Sequence, residues 1–446
     1  MAQAAKSKSD LAVIILAAGR GTRMKSALPK AMHKLAGRPL ILWLLETVQR
    51  LKPAHIVVVT APDMDDLRQV VAPATTVIQK KALGTGDAVK AALPALRGFK
   101  GDVLILLGDM PLISATTLKG LRKARHLTAE TGLAVLGADY DPPPAFGRLV
   151  ENPDGTLARI VEQKDATAQE KRITLCNTGA FCVAGEHLEK WVSSINNKNA
   201  QKEFYITDLP AIARKDGLVT QIAVTDDLDE VQGVNSRLDL AMLEYTVQAQ
   251  LRLQFLDAGV TMHDPAAVYF SFDTKIGKDV IIEPNVFFGT GVKIADNVLI
   301  RGYSHIEQAV IKEGASVGPF ARLRPGAVLG EDVHIGNFVE VKNAQLGKGV
   351  KAGHLAYIGD ATIGEGTNYS CGAITANYDG VNKHKTVIGK NVMVGSNVNL
   401  IAPVKIGDDA YLAAGSTITQ DVPKAKMGIA RARQTNLRKP SLRKDK

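Results

Sequence analysis

A six-residue period, beginning near residue 276 and running almost to the end of the chain, constrains the fold most. An aliphatic or aromatic residue recurs at intervals of about six and is often followed by glycine, as in IGKDV, IGNFV and IGDDA. Such hexapeptide repeats are typical of a parallel β-helix, in which three hexapeptides form one triangular coil and stacked coils share a core. The repeated positions are Ile276, Ile282, Phe288, Ile294, Ile300, Ile306, Ile311, Val317, Leu323, Leu329, Ile335, Val341, Leu346, Ile358, Ile363, Ile388, Val394, Leu400, Ile406, Leu412 and Ile418.

One segment interrupts this period. The run TANYDGVNKHKT at 375–386 is too polar for the inside of a coil. We therefore expect it to form a loop that projects outward from the β-helix.

The first half of the chain has a different pattern. Short apolar runs such as LAVIIL, HIVVVTA and DVLILLGD alternate with helical patterns such as PLILWLLETVQRL. This alternation predicts a Rossmann-like α/β domain with a mostly parallel sheet, which binds ligands at the carboxyl ends of its strands. Apolar residues spaced by four between Leu243 and Phe255, followed by Gly259, predict a connecting helix.

These patterns divide the chain into three parts. We predict an α/β domain over 1–235, a linker helix over 236–258 and a left-handed parallel β-helix with a basic C-terminal tail over 259–446. Nine Lys or Arg and one Asp between 424 and 446 give that tail a charge of +8, out of +10 for the whole chain. The folded body is thus nearly neutral.

The loop behind the first apolar run, LAAGRGTRMKSALPK at 16–30, has the composition of a phosphate-binding segment. Gly19 and Gly21 would let backbone N–H groups approach a phosphate chain, and Arg23 and Lys30 add positive charge. It lacks the Gly-Lys-Ser/Thr of a P-loop and the third glycine of the dinucleotide fingerprint. A glycine turn with solvated cations is the simpler alternative.

A second motif makes that alternative weaker. In LLGDMPL at 106–112 a predicted strand ends at Gly108-Asp109, which would place one carboxylate where Mg²⁺ could link it to phosphate oxygens. A single Asp in a turn is usually only a turn residue. The two motifs together therefore favour a nucleotide site more than either alone.

Together these motifs resemble the sugar-1-phosphate nucleotidyltransferases. QKKALGTGDAV at 79–89 is similar to that family's base-reading segment, and GR (147–148), VE (161–162), NTG (177–179) and GVN (233–235) recur in the family's order. The resemblance implies a UTP and UDP-N-acetylglucosamine site in which Arg23 and Lys30 act on the phosphates, Asp109 and Asn235 ligate Mg²⁺, and Gln79, Gly84 and Thr85 read uracil. The remaining residues it implies for this site are Leu16, Ala17, Ala18, Gly19, Gly108, Gly147, Glu162 and Asn177.

Motifs in the repeat region narrow the resemblance to one bifunctional group of these enzymes. FARLRPGA (320–327), GNFVEVKNA (336–344), KAGHLAYIGDA (351–361) and ANYDGVNKHKT (376–386) are similar to motifs of the bifunctional N-acetylglucosamine-1-phosphate uridylyltransferases/glucosamine-1-phosphate N-acetyltransferases. The resemblance covers essentially the whole chain and implies a homotrimer whose acetyltransferase site lies between subunits. It implies His354 as general base, Arg324, Lys342, Tyr357, Asn368 and Lys383 for glucosamine-1-phosphate, and Cys371, Asn377, Tyr378, Ser396, Ala414 and Arg431 for acetyl-CoA.

Some positions depart from the family pattern. Leu107 stands where the family often has Tyr, Cys371 where Ala is usual, and Tyr369-Ser370 where an aliphatic residue and Gly are usual. The departures concern the shape of the pockets more than the reactions.

His354 illustrates why the motif matters. Alone, it would more often be an ordinary loop histidine. Imidazole titrates near neutral pH, however, and a sugar ammonium must lose a proton before it can attack a thioester. Its place inside KAGHLAY favours the general base.

Three alternatives remain open. The β-helix could be only an oligomerisation scaffold for a sugar-1-phosphate nucleotidyltransferase, although a scaffold has no need of His354, Tyr357 and Lys383. It could be a zinc hydratase using His305, His334 and His354; hexapeptide phase groups the first two and separates the third. The basic tail could bind nucleic acid, but it has no aromatic residue for stacking on bases.

Composition fits a cytoplasmic enzyme. No apolar run approaches the roughly 20 residues of a membrane span, and Asp10 interrupts an N-terminal segment that otherwise resembles a leader peptide. Three cysteines without metal-type spacing suit a reducing compartment. We expect small-molecule substrates, and neither nucleic acid nor membrane as a partner.

Overall fold

The structure is a computed structural model, and it describes residues 10–438. The residues of the leader-like start before Asp10 and the last eight residues of the basic tail lie outside this range. The chain divides into two compact units, Met1–Thr246 and Val247–Lys446. Over residues 10–438, none of the helices has both the length and the apolar character needed to cross a membrane.

The first unit is an α/β domain. Its strands are β1 (Leu11–Leu16), β2 (Lys34–Leu35), β3 (Arg38–Pro39), β4 (His55–Thr60), β5 (Thr75–Ile78), β6 (Asp102–Leu107), β7 (Thr131–Asp139), β8 (Arg148–Glu151), β9 (Leu157–Val161), β10 (Leu175–Ala184) and β11 (Val219–Thr225). Its helices are α1 (Leu40–Arg50), α2 (Asp65–Val70), α3 (Thr85–Ala92), α4 (Ala115–Arg125), α5 (Gly185–Ser194) and α6 (Leu209–Lys215), and α7 (Arg237–Asp257) continues into the second unit.

The main sheet has the order β11-β7-β10-β6-β1-β4-β5, with β8 and β9 attached beside β10. Most neighbouring strands are parallel, whereas β10 runs antiparallel to both β6 and β7. The strands are apolar because helices cover both faces, and residues Leu11 to Ile15 of β1 are all buried. The predicted fold class of this half is confirmed.

The sheet places the two phosphate-site motifs side by side. Strands β1 and β6 are parallel neighbours in register from Leu11↔Asp102 to Leu16↔Leu107. Their carboxyl ends therefore coincide, and Gly108 N–H donates to the Leu16 carbonyl oxygen at 2.9 Å. The glycine-rich loop and Asp109 emerge at the same edge of the sheet.

The second unit is a parallel β-helix. Its strands are β12 (Thr261–Met262), β13 (Val268–Tyr269), β14 (Lys275–Ile276), β15 (Ile281–Ile282), β16 (Val286–Phe288), β17 (Lys293–Ile294), β18 (Leu299–Ile300), β19 (His305–Ile306), β20 (Val310–Ile311), β21 (Ser316–Val317), β22 (Arg322–Leu323), β23 (Val328–Leu329), β24 (His334–Asn337), β25 (Glu340–Leu346), β26 (Lys351–His354), β27 (Tyr357–Ile363), β28 (Asn368–Tyr369), β29 (Ile374–Ala376), β30 (Thr386–Ile388), β31 (Met393–Val394), β32 (Asn399–Ile401), β33 (Val404–Ile406), β34 (Tyr411–Leu412), β35 (Thr417–Ile418) and β36 (Met427–Gly428). Each strand pairs in parallel with the strand one coil away, as in Ile282↔Ile300 and Val317↔Ile335.

The repeat positions form the core of this unit. All the positions named from the six-residue period are buried except Ile276, which packs partly exposed against the same cluster. The predicted β-helix is therefore confirmed. The second half of α7 contributes Val247 and Phe255, both buried, and Phe255 packs on Phe270 at a centroid distance of 4.6 Å.

One corner of the β-helix carries bulky apolar residues in the left-handed backbone region. Tyr303, Phe320, Phe338 and Leu355 have φ between +45° and +59° and lie on successive coils, largely exposed. The rings stack, with centroid distances of 4.9 Å and 5.3 Å along Tyr303, Phe320 and Phe338. Left-handed backbone costs bulky residues about 1–2 kcal/mol each, so this column of four residues, called the aromatic corner below, is a strained surface.

Within the interruption, residues 378–385 form an exposed loop between β29 and β30, held by an antiparallel bridge between Tyr378 and Lys383, whereas Thr375, Asn377 and Thr386 are buried. After it the coil resumes in register, because Ala361 pairs with Thr386 and Ile363 with Ile388. The predicted outward loop is thus confirmed for 378–385, and the prediction was wrong for the ends of the run, where Thr375 and Thr386 lie inside the coil.

Candidate active sites

The first unit has a cleft at the carboxyl ends of its central strands. It consists of two adjoining cavities of about 320 Å³ and 530 Å³ that share Ala18, Gly19, Lys30, Gln79 and Ala82. The predicted site residues lining one or both cavities are Leu16, Ala17, Ala18, Gly19, Arg23, Lys30, Gln79, Gly84, Thr85, Gly108, Asp109 and Asn235. The larger cavity also contains Arg20 and Lys80, so among the residues that the structure describes, four cations and no carboxylate line it. This composition suits a polyphosphate.

The two predicted metal ligands meet in this cleft. Lys30 Nζ forms an ion pair with Asp109 and donates to Asn235 Oδ1 at 2.9 Å, while Arg23 donates to the same oxygen at 3.0 Å. The other carboxylate oxygen of Asp109 is buried and has no hydrogen-bond partner. An unsatisfied buried carboxylate oxygen next to an amide oxygen is a donor set that fits a hard divalent cation such as Mg²⁺.

Gln79 lies in the cleft with its amide nitrogen already engaged. Nε2 donates to the Gly84 carbonyl at 3.1 Å and to Asp87 Oδ2 at 2.9 Å. Both amide hydrogens are therefore used within the protein, and the Oε1 atom is left to face a ligand. Asp87, which accepts one of these hydrogens, was missed by the sequence analysis.

Gly84 and Thr85 are fixed by a segment far away in sequence. Gly84 has φ of +112°, and a Cβ there would lie 2.6 Å from the carbonyl oxygen of Phe204. Thr85 begins α3, and its Oγ1 accepts from Ile206 N–H at 3.0 Å. Glu203, in the same segment, lines the smaller cavity. The residues 203–206 were missed because their link to Gly84 is formed only by the fold.

Gly147, Glu162 and Asn177 form a neighbouring group that does not line either cavity. Asn177 N–H donates to the Gly147 carbonyl at 2.8 Å, and a Cβ at Gly147 would lie 3.6 Å from the Glu162 carboxyl. Burial and nearby acids raise the pKa of Glu162, although Thr207 Oγ1 donates to its carboxylate at 2.9 Å.

Leu107 joins this group to the cleft. It lines the smaller cavity, and a Cβ at Gly179 would lie 2.5 Å from its Cδ1. The departure from the family's Tyr therefore places an aliphatic wall beside the Asn177–Gly179 turn.

In the second unit His354 directly precedes Leu355, the last residue of the aromatic corner, and so lies at the same corner of the β-helix. Its Nδ1 is 2.8 Å from Asn337 Oδ1, on the preceding coil. If Nδ1 carries the proton donated to this amide oxygen, Nε2 is the unprotonated nitrogen and faces solvent as a base. Asn337 was missed because the coil stacking, and not the sequence spacing, brings it to His354.

Three of the five predicted glucosamine-1-phosphate residues, Arg324, Lys342 and Lys383, lie together at the next corner. Arg324 donates to Glu340 at 2.7 Å, and the adjacent ammonium of Lys383 lowers the pKa of Lys342. Tyr357 lies on the face between this corner and His354, and its ring covers Gly359, where a Cβ would be 2.3 Å from the phenol oxygen. Asn368 is on the other side of the His354 corner, where it donates to Ser370 Oγ at 3.0 Å.

The predicted acetyl-CoA residues divide into two groups. Cys371, Ser396 and Ala414 continue the His354 corner on successive coils: Asn397 N–H donates to Cys371 O and Gly415 N–H to Ser396 O, each at 2.8 Å, and Arg431 donates to Ala414 O at 2.9 Å. Asn377 and Tyr378 instead lie at the corner beyond β29, where the buried Asn377 amide bonds Asp360, and Tyr378, at the start of the exposed loop, donates its OH to Gly380 O at 2.5 Å. One chain places the two groups on different corners.

The three histidines of the zinc alternative do not meet. His334 and His354 are on neighbouring strands of one sheet, whereas His305 is in the other sheet. Hexapeptide phase had grouped His305 with His334, which was wrong, because the position within a hexapeptide does not specify which of the three faces of the coil carries it. Over residues 10–438 no group of three or more His, Cys, Asp or Glu could hold a metal ion.

Comparison with known proteins agrees with this architecture. The model of the MobA-like NTP transferase domain matches residues 13–169, and that of the bacterial transferase hexapeptide repeat matches 273–308, 308–343 and 385–420. Fold and sites together thus define a nucleotidyltransferase joined to a hexapeptide transferase.

The relatives identify the family. The chain is 50% identical to the bifunctional protein GlmU of Paramagnetospirillum magneticum, with 96% of this chain and 95% of the relative covered. It is 47% identical to that of Zymomonas mobilis (95% and 95%) and 45% identical to that of Pseudomonas syringae pv. tomato (96% and 97%). The chain belongs to the bifunctional GlmU family, which favours two enzymatic activities over the scaffold alternative.

Proposed function

We propose that each unit carries one of two consecutive reactions of UDP-N-acetylglucosamine synthesis. The β-helix transfers the acetyl group of acetyl-CoA to glucosamine-1-phosphate, and the α/β domain transfers the uridylyl group of UTP to the product. The observation that carries this proposal is the separate assembly of two polar sites, a four-cation cleft in one unit and, in the other, a histidine held by Asn337 together with a cluster of cations at the next corner.

In uridylyl transfer, an oxygen of N-acetylglucosamine-1-phosphate attacks the α-phosphorus of UTP, and the bond to the pyrophosphate oxygen breaks. The protein needs to align the two phosphates and neutralise charge. Arg23, Lys30, Arg20 and Lys80 supply that charge around the larger cavity. Asp109 and Asn235 would hold Mg²⁺, which would neutralise phosphate oxygens when bound.

In acetyl transfer, His354 Nε2 takes a proton from the sugar ammonium. The free amine attacks the thioester carbonyl, and the thiolate of CoA leaves and is protonated. Asn337 keeps the imidazole in the tautomer with a basic Nε2. Arg324, Lys342 and Lys383 would bind the sugar phosphate, since three cations around one corner attract a dianion.

We propose a homotrimer, because one chain carries only part of an acetyl-CoA site at each corner. A second copy would bring its Asn377 and Tyr378 beside the Ser396 and Ala414 of the first. The aromatic corner supports association, since Tyr303, Phe338 and Leu355 are each more than half exposed. Strained, exposed apolar side chains on successive coils gain stability once they are covered.

We propose a cytoplasmic location, where UTP and acetyl-CoA are available. Three unpaired cysteines, Cys176, Cys182 and Cys371, are consistent with a reducing compartment.

One assay tests the proposed function. The protein is incubated with glucosamine-1-phosphate, acetyl-CoA, UTP and Mg²⁺, and each component is omitted in turn. UDP-N-acetylglucosamine should form only from the full mixture, and omission of UTP should leave N-acetylglucosamine-1-phosphate and free CoA. Formation of free CoA without glucosamine-1-phosphate, or no product from the full mixture, would contradict the proposal.

A further inference from the structure

Two buried hydroxyl groups touch the strand that carries Tyr357 from inside the β-helix. Thr375 and Tyr369 occupy repeat positions that are aliphatic one coil further on, since Thr375 pairs with Leu400 and Tyr369 with Val394. Thr375 is 0% exposed and Tyr369 1%. A hydroxyl in a core of this kind is costly unless it is hydrogen-bonded.

Both hydroxyls bind backbone groups of one short segment. Thr375 Oγ1 accepts from Gly359 N–H at 2.7 Å and donates to Gly359 O at 3.0 Å, and Tyr369 OH donates to Tyr357 O at 3.3 Å. The two ends of the segment 357–359 are thereby held from beneath. Burial raises the pKa of Tyr369, so this phenol stays protonated and can donate.

The backbone ladder is sparse at this place. Strand β27 pairs with β25 at six positions, but with β29 only at Tyr357↔Ile374, before the outward loop. Pairing resumes at Ala361↔Thr386. The Thr375 hydroxyl thus takes the place of ladder hydrogen bonds at Gly359.

The segment supports the sugar site directly. The ring of Tyr357 lies over Gly359, and Gly359 pairs with Lys342 on the preceding coil. A shift of Gly359 would therefore move both the Tyr357 ring and the backbone next to the cation cluster.

We propose that Thr375 and Tyr369 are positioning residues for acetyl transfer. Their hydroxyls fix the segment 357–359, and through it the ring and the lysine that the sugar phosphate meets. This inference rests on the proposed function of the β-helix.

The test compares variants that lose one hydroxyl each. Thr375→Val should raise the KM for glucosamine-1-phosphate about tenfold and change kcat by less than about threefold, because Tyr357 and Lys342 are proposed to bind the sugar phosphate, and loss of binding that is equal in the ground and transition states raises KM without lowering kcat. Tyr369→Phe should raise the same KM about twofold, since its longer hydrogen bond is weaker. The KM for acetyl-CoA and uridylyl transfer should stay unchanged in both.

Thr367→Val is the matched control. Thr367 is equally buried, and its hydroxyl donates to Gly389 O at 2.9 Å and accepts from Val392 N–H at 3.1 Å, in another part of the coil. It should lower Tm as Thr375→Val does and leave the sugar KM unchanged. Thr375→Ser, which keeps the hydroxyl, should restore a near-normal KM and serves as the test if the Val variant does not fold.

An unchanged sugar KM in Thr375→Val, with Tm lowered as in the control, would overturn the positioning role. So would a Thr375→Ser variant that folds but has the raised KM. Absence of acetyl transfer in the unmutated protein would refute the proposed function instead, so the two failures are distinguishable.

Discussion

The two units build a site in opposite ways. In the α/β domain, the ends of two adjacent strands bring the phosphate loop and Asp109 together, so the cleft is assembled within one chain. In the β-helix, every coil follows the same path, so functional side chains lie in rows along its corners and faces. An open sheet brings its functional residues together at one edge, whereas a solenoid distributes them along its length. Under the proposed function, the second design would need another copy to complete its acetyl-CoA pocket.

The largest expected effect separates the two sites. Asp109→Asn should lower uridylyl transfer by at least about 100-fold, since it weakens charge neutralisation at the transferred phosphate. His354→Ala should lower acetyl transfer by about 10²–10⁴-fold, the usual contribution of a general base. Each variant should retain the other activity within about twofold, measured as pyrophosphate and CoA release. Loss of both activities in either folded variant would mean that the sites are not independent.

Assembly should matter only to the β-helix. Phe320→Asn combined with Phe338→Asn removes two rings of the aromatic corner, and Asn tolerates positive φ, so the coil itself should not be weakened. We expect a smaller oligomer by light scattering and an acetyl-transfer rate lower by about tenfold or more. Uridylyl transfer should be unchanged. Asp332→Asn, also at positive φ but outside the aromatic corner, is the control. Normal acetyl transfer by a monomeric variant would show that one chain completes the pocket.

Base selection should depend on the oxygen of Gln79. Uracil offers an N–H where cytosine has an acceptor nitrogen, so the Gln79 Oε1 atom should attract the first and repel the second. Gln79→Ala should lower the UTP-to-CTP ratio of kcat/KM by about tenfold, the effect of one to two kcal/mol. Asp87→Asn, which leaves the amide in place with a neutral partner, should change the ratio less. A ratio unaltered in Gln79→Ala would remove this residue from base reading.

The basic C-terminus should contribute modestly to acetyl-CoA binding. Truncation after Pro423 would also remove β36, which pairs with β34, so substitution is the cleaner test. Arg431→Ala should raise the KM for acetyl-CoA by about threefold at low salt and flatten its salt dependence. Truncation after Leu437 should have no effect. A KM for acetyl-CoA that is unchanged at low salt would leave Arg431 only its contact with Ala414.

The smallest effect concerns stability around Glu162. Its pKa is raised by burial, so the folded state binds a proton more tightly than the unfolded chain. Stability should therefore fall as pH rises from the unfolded pKa through the folded one. Glu162→Gln should remove this loss, giving a slightly higher Tm at neutral pH and an equal or lower one at pH 4, together with a raised KM for N-acetylglucosamine-1-phosphate. A Tm difference that does not change with pH would contradict the assignment.

The features best predicted from the sequence are those that repeat along the chain or depend on residues close together in it. The core of the β-helix follows from the six-residue period, because every coil places its repeat residue inward, and α7 follows from apolar spacing that continues from Leu243 to Phe255. The phosphate loop and Asp109 are predictable since parallel strands end at one edge.

Contacts between distant segments could not be predicted. The segment at Phe204 that confines Gly84, the Asp87 carboxylate that takes the Gln79 donor, and Asn337 beside His354 all depend on the tertiary fold. Positive φ at Phe320 and Phe338 was equally hidden, because local preference opposes it. The grouping of the histidines failed because a position within the hexapeptide does not specify the face of the coil on which it lies.

The outward loop between β29 and β30 shows how such a solenoid can acquire new specificity. Because Thr386 pairs with Ala361 directly after the loop, the packing of the core does not depend on the number of residues in the loop. Exchange of residues 378–385 for loops of other lengths and sequences would leave the buried Thr375 and Thr386 at its ends in place. The coil then stays constant while the loop varies. Changes confined to one exposed insertion would therefore be enough for acyl-acceptor choice to diverge among relatives.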